Sequence, residues 1–294
     1  MVGERGWRKV GLVSFFLLPA LLPLLIFRVL PMVASVGVSL TEWNLLRPPV
    51  LVGLDNYLGL LGDKNFHRAL VNTLYYMVGY LPLVLVGALA TAVLLNSKLK
   101  GSSFFRGVYF LPVVTSWVVV ALLWKWLLSP EGGMVNYLLS LVGIDGPGWW
   151  TDRAWAMPSI ILASAWKDLG FSMLILLAGL QNIPEHLYEA ARIDGAGRWQ
   201  RLRHITLPLL TPFIFFAMVL SMIGAFQVFD QVWIMTEGGP AGATTVVMEQ
   251  VVKNAFKYGL MGEASAMSWV LFAIILAFTV VQLRAQRRWV HYGS

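Results

Sequence analysis

The chain has 294 residues, of which 58% are hydrophobic and only 13% charged, with a formal net charge of +7 and no cysteine. About a quarter of the residues of a soluble domain are charged, so this composition excludes an ordinary water-soluble fold. The missing cysteines exclude disulfides, thiolate metal sites and a cysteine nucleophile.

Windows of roughly 20 nearly uncharged residues match the thickness of a bilayer, which reads as an all-α, polytopic membrane protein. Six spans are expected, at about 10–40, 69–95, 106–128, 154–180, 207–235 and 263–283. The first follows Arg5, Arg8 and Lys9, as a signal peptide would. Its apolar run from Val10 to Phe27 and onward past Arg28 exceeds the roughly 7–15 residues of a signal h-region, so it reads as a retained helix. The connections TEWNLLRPPVLVGLDNYLGLLGDKN, SPEGGMVNYLLSLVGIDGPGWWTD and TEGGPAGATT are rich in Gly, Pro, Asn and Asp, which end helices and form turns. No soluble insert and no repeat of 20–50 residues stands out. The simplest reading is one membrane domain over 10–284, with short tails at 1–9 and 285–294.

Lys and Arg set the orientation. The N-terminal tail (Arg5, Arg8, Lys9), the loop before the third span (Lys98, Lys100, Arg106), the 181–206 loop (Arg192, Arg198, Arg201, Arg203) and the C-terminal tail (Arg284, Arg287, Arg288) hold 13 of the 22. The opposite connections hold five, Arg47, Lys64, Arg153, Lys253 and Lys257. The positive-inside rule therefore puts both termini and the 181–206 loop in the cytoplasm. Trp149, Trp150 and Trp155 cluster at the outer end of the fourth span, as interfacial aromatics do. Topology accounts for the positive charge, and a nucleic-acid partner becomes unnecessary.

Charged and polar residues inside spans are functional candidates by default. Arg28 and Lys125 lie nearer the ends of their spans and can snorkel. Lys167 and Asp168 fall near the middle of the fourth span, where a lining role and a packing role are both open. Gln227, Asp230 and Gln231 share one helical face at i, i+3 and i+4, flanked by Phe226 and Phe229. Planar polar groups beside aromatic rings suit a carbohydrate; the competing reading is hydrogen bonding to a neighbouring helix. Asn72 and Thr73 are weaker candidates of the same kind.

The 181–206 loop is longer than a connector needs. Pro184 suits a first helical turn, Glu185 adds charge of the right sign near the helix N-terminus, and Leu187, Ala190, Ala191 and Asp194 mark one largely apolar face. Gly195 is placed to end the helix in a left-handed cap. Such a helix can lie on lipid head groups, but its two alanines lack anchoring bulk and instead allow another protein to approach closely. Glu189 can pair with Arg192 at i+3 or meet a basic partner; spacing leaves both open.

The stretch EAARIDGAGRWQRLRHITLPLL resembles the EAA motif of membrane subunits of ATP-binding-cassette importers: Glu189-Ala190-Ala191, Gly195 after three residues, then Ile205, Leu207 and Pro208 after nine more. FLLPALLPLLIF, VGLDNYLGLL, YFLPVV and FQVFDQVWIMTEGGP extend the likeness along nearly the whole chain, toward carbohydrate-type permeases of the maltose and glycerol-3-phosphate kind. The resemblance implies a type I importer permease fold with six transmembrane helices, in a prokaryotic inner membrane. It also implies a coupling helix docking on a cytoplasmic ATPase, with Glu189 as the charged contact, Ala190 and Ala191 as the close-packed face, Gly195 as the turn, and Asp194 among the coupling residues. The implied partners are a second, homologous permease, an ATPase dimer, an extracytoplasmic solute-binding protein and membrane lipid. The implied cargo is a sugar or polyol.

No G-x-x-x-x-G-K-[ST] loop, HExxH pair or GxSxG elbow occurs, and His67, His186, His204 and His291 lie near membrane surfaces. The chain is thus expected to be non-catalytic and to bind no cofactor itself, ATP and Mg being used by the partner ATPase. An ion-coupled secondary transporter is the alternative, but such proteins usually show repeated halves, and none is evident between 10–128 and 154–283. A membrane-embedded enzyme would need a catalytic cluster that the spans do not offer.

Overall fold

The computed structural model describes residues 6–96 and 101–290, with side chains from residue 11 onward. Arg5, Lys98, Lys100 and His291, and with them the ends of both expected tails, lie outside the described residues. Five described helices are long and apolar enough to cross a membrane: Gly11–Ser39, Lys64–Leu95, Ala156–Gln181, Arg198–Phe226 and Met261–Arg288. A sixth crossing is a bent pair, Ser102–Val114 and Trp117–Leu127, at 100° to each other.

Two of the expected spans are therefore broken. The third, expected as one helix over 106–128, stops where Thr115 and Ser116 turn extended (ψ 139° and 141°). Ser116 then restarts it, its hydroxyl accepting the Val118 N–H at 3.3 Å as an N-cap does. The fifth, expected over 207–235, begins earlier, at Arg198, ends at Phe226, and resumes only as the short helix Asp230–Met235. Hydropathy reports the apolar run but is blind to such breaks. Between the fifth and sixth spans a further helix, Val247–Val252, continues into a π turn at Lys253–Lys257, where only a connection was expected.

The chain forms two compact units: Met1–Gly62 with Val251–Val270, and Asp63–Gln250 with Leu271–Ser294. In the first, an antiparallel pair joins Thr41 to Leu51 and Glu42 to Val50. Asn56 Nδ2 donates to the Ser39 and Thr41 carbonyls at 2.9 and 3.0 Å. The Met261 N–H donates to the Trp43 carbonyl at 2.9 Å, and Trp269 Nε1 donates to Ser35 Oγ at 3.1 Å.

In the second unit, Asp63 caps the 32-residue helix Lys64–Leu95 through a 2.8 Å bond from the Asn65 N–H. At 1.5 Å per residue that helix rises about 48 Å, more than a hydrocarbon core of roughly 30 Å needs. It packs along Ala156–Gln181, the most buried of the spans. The contact is built from small residues, as suits helices that gain no hydrophobic drive from one another in lipid. Ala88 and Ala92 are fully buried, while Gly79 and Gly87 receive the tips of Ile161 and Leu169.

Gly170 brings two spans into close approach. A Cβ there would land on the Tyr109 carbonyl oxygen of the third span, which is backbone and has no rotamer with which to yield. Gly170→Ala is expected to cost about 2 kcal/mol or more through overpacking, seen as a lower thermal midpoint and a smaller monodisperse fraction in detergent. Gly107→Ala, on the third span with open space around it, should leave both unchanged.

Candidate functional site

Two places gather the residues singled out in the sequence. The first is the loop after the fourth span. Helix Glu185–Ile193 starts with Pro184 as its N-cap, one position before the expected first turn. It ends in a Schellman motif: the Ala196 N–H reaches the Ala191 carbonyl at 2.8 Å and the Gly195 N–H reaches the Arg192 carbonyl at 3.1 Å. Gly195 sits at φ +77°, a conformation that costs an L-residue roughly 1–2 kcal/mol.

The expected apolar face divides. Leu187, Tyr188 and Ala191 turn inward, and the first two pack against the buried cluster that includes Leu180 and Leu210, as Ile205 and Leu209 also do. Glu189, Ala190, Ile193 and Asp194 face outward, and Ile193 is 86% exposed. Ala190 and Ala191 therefore do not form one outer surface. The tyrosine supplies the reason: its ring is larger than either alanine, and its hydroxyl bonds Thr206 Oγ1 at 3.0 Å. That bond ties the loop helix to the foot of the fifth span. Pro208, in the first turn of Leu207–Phe226, has no N–H to give the preceding turn, and a π turn at Leu202–Thr206 widens the helix just before it.

The second place is a cavity of about 280 Å³ inside the larger unit. Asp168, Gln227, Asp230 and Gln231 line it together with Tyr76 and Tyr80, and Trp117 and Phe229 supply aromatic faces. The two tyrosine rings stack, with centroids 5.3 Å apart. Tyr80 donates to Asp168 Oδ2 at 2.9 Å. Gln231 is buried and donates at long range to Tyr76 Oη (3.3 Å) and Ser164 Oγ (3.4 Å), while Gln227 and Asp230 remain exposed to the cavity side. The glutamines and Asp230 meet here because residues 227–229 are not helical, rather than through an unbroken i, i+3, i+4 face.

Four sequence candidates lie elsewhere. Lys167 is buried and turned away: its Nζ donates to the Val113 carbonyl at 3.0 Å and stands 5.0 Å from the centre of the Trp117 ring, so it closes the broken end of the third span. Phe226 is fully buried and packs on Phe278 at 5.2 Å. Asn72 Nδ2 donates to the Gly242 and Thr245 carbonyls at 3.0 and 2.9 Å. Beside it, Thr73 Oγ1 accepts the Val247 N–H at 3.1 Å. These two stitch the 236–246 connection to the second span. Tyr76, Tyr80, Trp117 and Ser164 were missed in the sequence. The hydroxyl-bearing pair Tyr76 and Tyr80, at i and i+4 in mid-span, was the signal available.

Residues 83–289 match the family model described as the binding-protein-dependent transport system inner membrane component. The probable ABC transporter permease protein YesP of Bacillus subtilis is 40% identical, with 100% of this chain and 96% of that protein covered. The trehalose/maltose transport system permease protein MalF of Thermococcus litoralis is 35% identical, with 98% and 97% covered. Among solved structures, a bacterial alginate transporter in complex with its alginate pentasaccharide-bound periplasmic protein superposes with a TM-score of 0.84 at 27% identity, covering 99% of this chain and 100% of that one.

Asn72→Ala separates stitching from lining. Losing both bonds should lower hydrogen-exchange protection at amides 242–247 by about tenfold, a typical result for one or two net hydrogen bonds. The KM for uptake should stay unchanged; a raised KM with intact protection would return Asn72 to the cavity.

Proposed function

This chain belongs to the binding-protein-dependent transport inner-membrane family of importer permeases, and on that footing we propose that it carries a small neutral sugar or polyol through the cavity of its larger unit. The supporting observation is the cavity's lining. Carboxyl groups, carboxamides and phenols converge with the rings of Trp117 and Phe229 inside an otherwise apolar bundle. Carboxylate and amide oxygens accept from vicinal hydroxyls, amide N–H groups donate to them, and aromatic faces cover the C–H side of a sugar ring.

Size and charge narrow the class. At about 280 Å³ the cavity lies just below the roughly 300–1,000 Å³ range of small-molecule sites. Asp168 and Asp230 line it, and among the described residues no Lys or Arg does. An acidic oligosaccharide of the kind bound by the alginate importer's periplasmic protein would meet two carboxyl groups and no cation.

Coupling follows from the loop. The chain has no phosphate-binding loop of its own, so hydrolysis is assigned to a separate ATPase dimer in the cytoplasm, which uses ATP and Mg. Glu189, Ala190, Asp194 and Ile193 form the outward contact, Gly195 ends the lever, and Ala191, Ile205, Leu207 and Pro208 join it to the fifth span. Closure of the ATPases would draw this loop toward that of a second, homologous permease and open the cavity to a solute-binding protein outside. Hydrolysis would restore the inward-facing state. An ion-coupled mechanism is not favoured, because it leaves the loop without a task.

Two measurements test this. Asp230→Asn and Gln227→Ala should each raise the KM for uptake roughly tenfold or more, as expected for hydrogen bonds to a charged and a neutral acceptor, with ATPase assembly intact. A combined Glu189→Ala, Gly195→Pro variant should keep its membrane fold but lose ATPase assembly or hydrolyse ATP without uptake. Unchanged assembly, hydrolysis and uptake in that variant would sink the coupling role.

A further inference from the structure

A second cavity, of about 480 Å³, opens where the second and fourth spans end beside the loop. The transport reading gives it no task. Val93, Leu180 and Leu202 form an apolar side, and Arg198 and Arg201 a cationic one. Arg201 is half-buried, and its Nε is withdrawn from solvent with no hydrogen-bond partner among the described residues. A guanidinium N–H removed from water calls for an acceptor. Trp199, also on the wall, is 70% exposed, as an aromatic at head-group depth is expected to be.

These features belong to one kind of ligand: an anion joined to a hydrocarbon chain, at the level where a span leaves the bilayer. Basic pockets between membrane helices take anionic lipid head groups, and an arginine fork matches phosphate oxygens in geometry as well as charge. We propose that this groove binds an anionic phospholipid, its phosphate on Arg198 and Arg201 and one acyl chain along Val93, Leu180 and Leu202. Thr206, on the same wall, bonds Tyr188, so the lipid would brace the joint between the loop helix and the fifth span.

Native mass spectrometry of the delipidated importer complex, titrated with phosphatidylglycerol or phosphatidylcholine, tests the proposal. Phosphatidylglycerol should bind preferentially, and Arg198→Gln with Arg201→Gln should weaken it roughly 30-fold, as expected from two cations near a membrane surface. Arg198→Lys with Arg201→Lys, which keeps the charge but loses the planar fork, should recover only part of the binding. Arg203→Gln with Arg287→Gln, which removes the same charge elsewhere, should leave it unchanged. Equal retention of both lipids, indifference to the Arg198 and Arg201 changes, or displacement by millimolar inorganic phosphate would overturn it. A photoactivatable phosphatidylglycerol should label the groove of the wild-type complex, at 198–202 or around Val93 and Leu180; labelling confined to other segments would overturn it even where the variants fail to assemble.

Discussion

Hydrocarbon offers no hydrogen bonds, so every peptide group that leaves a helix inside the bilayer must find a partner within the protein. Most of what distinguishes this chain from a bundle of six plain rods follows from that demand. The third span is broken, and Lys167 donates to the freed Val113 carbonyl. The fifth span is broken, and the connection that follows it is held by Asn72 on the Gly242 and Thr245 carbonyls and by Thr73 on the Val247 N–H. Threonines satisfy that connection internally too: Thr244 donates to the Gly239 carbonyl at 2.7 Å and Thr245 to that of Gly238 at 3.2 Å. Among the polar residues of these spans, Lys167, Asn72 and Thr73 thus repair backbone, while Asp168, Gln227 and Asp230 face the cavity.

That division limits what the sequence could disclose. The existence of all six crossings was legible, because about 20 apolar residues in a row admit few other readings. The loop helix and its end at Gly195 were legible, since one glycine after a short helix carries a specific backbone meaning, but which face turns outward was not, because Tyr188 rather than the alanines decides it. The two breaks were not legible. Thr115 and Ser116 are unexceptional in composition, and nothing in Gln227, Val228 and Phe229 forbids a helix. The duty of Lys167 was hidden for the same reason, as its partner is a carbonyl 54 positions away. Asp168, its neighbour, lies on the cavity. Adjacent residues on a helix point about 100° apart, and no property of the pair itself says which one turns inward.

The loop helix shows how a short segment gains stiffness. Nine residues are too few to hold a helix alone in water. This helix is fixed at one end by its Schellman bonds and in its middle by Leu187 and Tyr188 on the bundle. What remains outward is a small surface of Glu189, Ala190, Ile193 and Asp194 on a rigid backing. The proposed coupling contact needs that combination, because a flexible segment would absorb the motion as local disorder.

The interruption at residues 227–229 divides the fifth span into a long shaft, Arg198–Phe226, and a short stub, Asp230–Met235. The shaft begins at the loop; the stub leads directly into the connection stitched to the second span. No unbroken ladder of backbone hydrogen bonds crosses between them, so torsion of the shaft is not imposed on the stub. Gln227 rides at the end of one piece and Asp230 and Gln231 at the start of the other. A small twist at the base would therefore alter the spacing between these side chains before it moved the far rim of the bundle, making the cavity wall a differential gear rather than a piston.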